Sequence, residues 1–303
     1  MSSTVWAITI AALLTVLAID LTIAILRRNM ETSFKEAATW TVIYVSAAII
    51  FGISMGQWST SQAQSEFFAG WITEYSLSID NLFIFIIILA RLKIAKSKEQ
   101  LVLLIGIIMA LVLRGIFIFL GAAAVERYTW VFFIFGAFLL FTALKLQGES
   151  DHEWKEGRLI LWLKKRGSSP VTIALFALAF TDLIFALDSI PAIFGLTKDP
   201  YIVFTANVFA LMGLRQLYFL IGGLMKRLIY LTKGLSFILA FIGVKLILEA
   251  FHGIDIHTLL GVHIPEISTQ LSLVVIIGTL IITAISSLVV SGKRGSNKVD
   301  HHE

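Results

Sequence analysis

Nine apolar stretches run along this chain, at about 5–26, 37–56, 67–90, 100–121, 129–146, 171–196, 201–224, 234–251 and 268–291. Each has roughly the 17–25 residues that an α-helix needs to cross a hydrocarbon core. The second ends least sharply, because Gln57, Trp58 and a Ser/Thr/Gln stretch follow it. The pattern predicts an all-α membrane protein of about nine transmembrane helices, folded as one transmembrane domain over 1–303.

The charged positions between these stretches predict how the chain is threaded. Alternate connections hold Arg27, Arg28 and Lys35; Arg91, Lys93, Lys96 and Lys98; Lys155, Arg158, Lys164, Lys165 and Arg166; Lys226, Arg227 and Lys233; and Lys293, Arg294 and Lys298. The connections in between hold only Arg127 and Lys198. Basic residues gather on the cytoplasmic side, so the N-terminus is expected outside and the C-terminus inside, with a cytoplasmic basic loop at 147–169 and a cytoplasmic tail at 292–303. No basic residue precedes Val5, and the first stretch is long enough to span, so no cleavable signal peptide is expected.

Composition agrees. Hydrophobic residues make up 58% of the chain and charged ones 15%, and the mean hydropathy is +0.90. A soluble domain carries about 25% charge; this chain cannot cover a water-facing surface and needs the lipid bilayer as its partner. The net charge of +4 lies in short clusters between apolar runs, so no nucleic acid partner is expected. Cysteine is absent, which removes disulfides, thiolate metal sites and cysteine nucleophiles together.

Two parts of the chain resemble each other. Glu74-Tyr-Ser-Leu-Ser-Ile-Asp80-Asn81 matches Asp182-Leu-Ile-Phe-Ala-Leu-Asp188-Ser189: an acid, five residues, an acid, then a small polar residue. Arg114 stands seven residues before Gly121, and Arg215 seven before Gly222; Lys145 and Lys245 follow in similar text. The copies cover 66–148 and 168–252, three stretches each. Three is odd, so the second copy enters from the opposite side. That is an inverted repeat, which in transporters places the site near mid-membrane where the copies meet.

Glu74, Asp80, Asp182 and Asp188 therefore lie deep in the bilayer, where each carboxylate costs on the order of 3 kcal/mol on insertion scales. A bound divalent cation, protonation, or pairing with Arg114, Arg215, Lys145 or Lys245 would offset that cost. Positions four and seven apart share a helix face, so Glu74 aligns with Ser78 and Asn81, and Asp182 with Ser189. Asp80 and Asp188 point about a third of a turn away. One ion touching all four would need a break in the helices, which Pro191 could supply by leaving the Leu187 carbonyl without a donor. All six histidines lie outside the predicted spans, so the buried ligands are oxygens. Such sites suit Mg, Ca and Mn rather than Zn, Cu or Ni. Salt bridges that merely fix helix packing are the competing account.

At these residues the chain resembles the TerC family, and within it the Alx-like manganese exporters. The specific parts are Glu74 to Phe83, the block Asp182-Leu-Ile-Phe-Ala-Leu-Asp188-Ser-Ile-Pro191-Ala-Ile-Phe, Asp199-Pro-Tyr-Ile, and Asn207-Val-Phe-Ala-Leu-Met-Gly-Leu-Arg215. The resemblance implies a bacterial inner-membrane or organellar protein linked to manganese efflux, tellurite resistance and metalation of exported proteins. It also implies metal ligands at Glu74, Asp80, Asn81, Asp182 and Asp188. The expected function is export of a divalent ion, manganese first, with proton antiport as the coupling; Mn2+ is the cargo, and no prosthetic group is expected. A scaffold delivering metal to secreted proteins beside the secretion machinery stays open as the alternative, as does a transporter for Ca2+ or Mg2+. No enzyme is expected: an intramembrane aspartyl protease needs two aspartates sharing a proton, and Asp80 and Asp188 lack the Gly-x-Gly-Asp context.

Other polar features read more simply. Asp20 and Glu249 are expected at the headgroups. Trp154–Arg166 fits either an amphipathic surface helix or a plain basic loop. His252, Asp255, His257, His263 and Glu266 fit a metal release or capture site but read more simply as loop composition, and Asp300–Glu303 as a solvated end.

Overall fold

The computed structural model of the protein describes residues 2–26, 33–148, 158–221, 228–259 and 262–299. The basic residues at 27, 28, 155, 226 and 227, and the end from 300, lie outside them. The helices are α1 (Ser3–Leu26), α2 (Phe34–Trp58), α3 (Ser61–Arg91), α4 (Lys96–Arg127), α5 (Val131–Gly148), α6 (Arg158–Lys165), α7 (Pro170–Phe194), α8 (Pro200–Met212), α9 (Leu214–Ile221), α10 (Leu231–Gly253) and α11 (Thr269–Val299). A two-residue ladder, β1 (Thr258–Leu259) with β2 (Val262–His263), sits before α11.

Seven of these helices are long and apolar enough to cross a membrane. Shorter apolar helices at Val131–Leu146 and Pro200–Met212 occupy the fifth and seventh expected stretches. The protein is an all-α membrane protein. Starts follow capping chemistry: Ser33, Thr60 and Ser169 accept from backbone N–H groups three residues on, and Asp199 from Tyr201. Pro170 and Pro200 then fill first-turn positions where a missing N–H costs nothing.

Two details differ from the sequence expectation. The seventh stretch is two helices, α8 and α9, interrupted at Gly213, a residue with little helix preference. The ninth continues as helix to Val299, into the segment expected to be tail. Asp20 is buried against protein six residues before the end of α1. Of the segment 154–166, which fits either a surface helix or a basic loop, the part from Arg158 to Lys165 is a helix. Ile160 and Leu163 of α6 are buried in the apolar cluster that holds Leu89, Leu92 and Ile94, and Leu161 and Trp162 face outward. The Arg166 guanidinium lies 4.1 Å from the Trp162 ring centroid.

Around the outside, Ile8, Val42, Val274 and Ile282 are 64–68% exposed, an apolar surface that only lipid satisfies. Inside, α5 packs along α10, α3 against α8 and α4 against α7. Small residues bring α5 and α10 into backbone contact, as membrane helices require when no hydrophobic force drives them together. A Cβ on Gly136 would stand 2.6 Å from Ile247 Cγ1 and 2.7 Å from the Gly243 carbonyl oxygen. Further along, Ser236 donates to the Ala143 carbonyl at 2.7 Å. Gly136→Val must therefore push two backbones apart. It is expected to destabilise the bundle by about 1–3 kcal/mol or more, seen as earlier loss of monodisperse protein on heating in detergent, whereas Gly115→Ala, where a Cβ meets open space, is expected to change little.

Candidate functional site

Where α3, α4 and α7 meet, three charged side chains are almost entirely buried: Glu74 0% exposed, Arg114 1% and Asp182 2%. Arg114 holds both acids. Its Nε donates to Asp182 Oδ2 at 3.0 Å and its Nη2 to Asp182 Oδ1 at 2.9 Å, the two-pronged fit that only a guanidinium gives a carboxylate. Its Nη1 pairs with Glu74 Oε1 and reaches Ser189 Oγ at 3.4 Å. Ser78, one turn beyond Glu74, donates to the same Oε1 at 3.3 Å. The seven-residue spacing explains the set: Asp182 and Ser189 share one face of α7, and a single side chain from α4 reaches both.

The charges do not cancel, because one guanidinium faces two carboxylates. Glu74 Oε2 is buried without a hydrogen-bond partner, as are Trp71 Nε1, Thr73 Oγ1 and Tyr75 OH on the same two turns of α3, and Asn207 Nδ2 on α8. Buried polar atoms are nearly always paired, so the free oxygen of Glu74 is the exception that stands inside the charged cluster.

The remaining expected residues are placed as follows. Asn81 is buried on α3. Asp188 turns away from Arg114, as its six-residue spacing requires. It is half-buried and accepts from Thr142 of α5 at 2.8 Å, with the Lys145 ammonium acting on it electrostatically. Lys245 is buried on α10 but faces a cavity that it shares with Glu66 and Glu249, rather than Arg114. Asp80 and Arg215 stand on α3 and α9, and their side chains lie outside the described ones. Among the described residues no three His, Asp or Glu groups stand close enough to hold a metal. Pro191 does not break α7, which runs on to Phe194; one missing bond is bridged by those around it. In the sequence only its place three residues before Lys145 marks Thr142.

Apolar helices closed around a buried, unequal cluster of charge define a multi-pass α-helical membrane protein with a polar centre. The chain belongs to the TerC family of integral membrane proteins, whose family model matches residues 59–295. It is 38% identical to the uncharacterized membrane protein Rv2723 of Mycobacterium tuberculosis over 325 aligned positions, 98% of this chain and 82% of that one. It is 34% identical to the uncharacterized membrane protein STKORF319 of Myxococcus xanthus, covering 97% of this chain and 95% of the relative. A protein of Escherichia coli that carries the name membrane-bound redox modulator Alx is 34% identical, over 81% of this chain and 86% of its own length. No solved structure matches the chain.

Proposed function

We propose that the chain is a transporter that carries a hard divalent cation, manganese first, out across a bacterial inner membrane. Glu74 and Asp182 would be its central ligands. The observation that carries this reading is Arg114 itself, a fixed cation clamped between carboxylates from both halves of the chain while one oxygen of Glu74 stays unpaired. A divalent ion brings more charge to the two acids than Arg114 does, so metal and guanidinium compete for one place. Ser78, Ser189 and Asn81 add oxygen atoms suited to Mn2+, Ca2+ or Mg2+. Asp80 and Asp188 would serve the ion before or after that place.

The helix contacts support an inverted repeat. Exchanging the halves swaps the α3–α8 packing for α4–α7 and returns α5–α10 to itself. It also turns the Gly136–Gly243 contact into the Ser236–Ala143 one, each residue moving by 100 positions. The basic clusters favour an outside N-terminus. The redox activity in a relative's name has no thiol to run on here, because the chain lacks cysteine.

Uptake of Mn2+ into inverted vesicles tests the proposal. The native chain is expected to accumulate the ion, at a rate that follows an imposed pH gradient. Asp182→Asn should lower uptake by about a hundredfold, since even outer-shell partners of a metal count for about 10–100-fold. Unchanged uptake in that variant would refute the assignment, and indifference to the pH gradient would remove proton coupling.

A further inference from the structure

A cavity of about 1770 Å³ opens between the Ser61 end of α3, the Arg127 end of α4, the loop after α7 and the Gly253 end of α10. This is the end of the bundle opposite the basic connections. Five carboxylates line it, Glu66 and Glu249 among them, against the ammonium groups of Lys198 and Lys245. With five carboxylates to two ammonium groups, its charge favours cations.

The cavity also reaches Gly115, Ile118 and Phe194, and there it stops. Glu74, Arg114, Asp182 and Ser189 do not line it, although Gly115 is Arg114's neighbour. What intervenes is apolar: Ile118, Ile190, Ile193 and Phe194 form one buried cluster. It is thin. On α4 the cavity wall reaches Gly115, the residue after Arg114, and on α7 Phe194 stands five residues beyond Ser189, about 7.5 Å of helix.

Phe194 is held in a way that permits release. A Cβ on Gly121 would stand 2.9 Å from its Cε2, so glycine there makes the seat for the ring. The Phe135 ring lies beyond, at a centroid distance of 6.5 Å. The turn that carries Phe194 begins at Pro191, which cannot donate to Leu187. It ends at Gly195, whose N–H bonds to the Pro191 carbonyl at 3.0 Å. The last turn of α7 is thus fastened to its helix by one bond fewer than an uninterrupted turn.

We propose that the cavity is the vestibule of the ion path and that Phe194, backed by Ile118 and Ile190, is its plug. An apolar layer of this kind stops a hydrated ion because the ion cannot shed water there. Movement of the Pro191–Phe194 turn would join the vestibule to the Glu74–Arg114–Asp182 cluster. The inference rests on the transport reading and names the residues that gate it.

The chain has no cysteine, so one introduced thiol reports water access at its own position. Ala122→Cys lies in the vestibule wall and Ser189→Cys beneath the plug. Both would be treated with a membrane-impermeant methanethiosulfonate in spheroplasts and in inverted vesicles; Ala122→Cys identifies the preparation that exposes the vestibule. In that preparation Ser189→Cys is expected to react at least about tenfold more slowly, the factor for a 1.4 kcal/mol difference in free energy. Adding Phe194→Ala should bring its rate up to that of Ala122→Cys. Gly121→Ala, a far smaller change that dislodges the ring, should act in the same direction and serves if Phe194→Ala does not fold. Rapid reaction of Ser189→Cys with Phe194 in place would overturn the plug, as would no acceleration in the folded variants. The readout needs no transported ion. A responsive plug without Mn2+ flux would sink only the transport reading, and Asp182-dependent flux with a silent plug would sink only this one.

Discussion

Arg114→Met is expected to destabilise the folded chain by about 3–5 kcal/mol, the cost of breaking a buried ion pair from one side. Met fills a similar volume although it is shorter, so the loss is mainly electrostatic. With the guanidinium gone, Glu74 and Asp182 remain as two like charges at 0% and 2% exposure, and Ser78 alone among the described partners still donates to either. At about 2–4 °C per kcal/mol, the melting temperature in detergent should fall on the order of 10 °C, read by size-exclusion after heating. Arg114→Lys should lose less, keeping the charge but not the two-pronged grip on Asp182. The decisive comparison is the triple variant Arg114→Met, Glu74→Gln, Asp182→Asn. If the charges are the cause, removing all three should restore most of the stability, because a buried pair exchanged for neutral groups is often close to neutral in free energy. A triple variant as unstable as the single one would show that Arg114 acts by shape.

The same residues show how far the sequence could be read. Helix positions came through because lipid imposes a length: about 20 apolar residues between charges leave little choice. The interruption at Gly213 was hidden, since other glycines, such as Gly106 and Gly243, sit inside unbroken helices. Within the site, periodicity separated Asp182 from Asp188, and their partners in the structure do differ, Arg114 for one and Thr142 for the other. It could not choose between Arg114 and Arg215 as the residue that reaches Asp182, because that choice belongs to the packing of α4 on α7 rather than to either helix alone. Lys245 was grouped with the central charges although it stands eight residues from Gly253, the end of α10. At about 1.5 Å per residue that is about 12 Å from the end, in the outer half of the helix, and the cavity reaches that far in.

If metal and Arg114 compete for Glu74 and Asp182, the free protein and the loaded protein must differ in stability. An ion that binds only the folded chain stabilises it by about 2.7 kcal/mol at a hundred times its dissociation constant, which corresponds to a rise of about 5–10 °C at the same conversion. Mn2+ is expected to produce that rise in the chelator-treated native protein. Mg2+ should fall well short of it, because Mg2+ gives up its water reluctantly and asks for a rigid octahedron that three separate helices do not offer. Asp182→Asn should abolish the shift without first collapsing the fold, since Arg114 and Glu74 remain as a balanced pair. Glu74→Gln should behave likewise, with Arg114 and Asp182 left together. The measurement separates binding from movement and is independent of transport direction. Equal Mn2+ shifts in the native chain and in both variants would mean that the ion binds elsewhere and that Arg114 is only a structural clamp. A shift confined to the native chain would mean that the ion binds where the guanidinium sits, between Glu74 and Asp182.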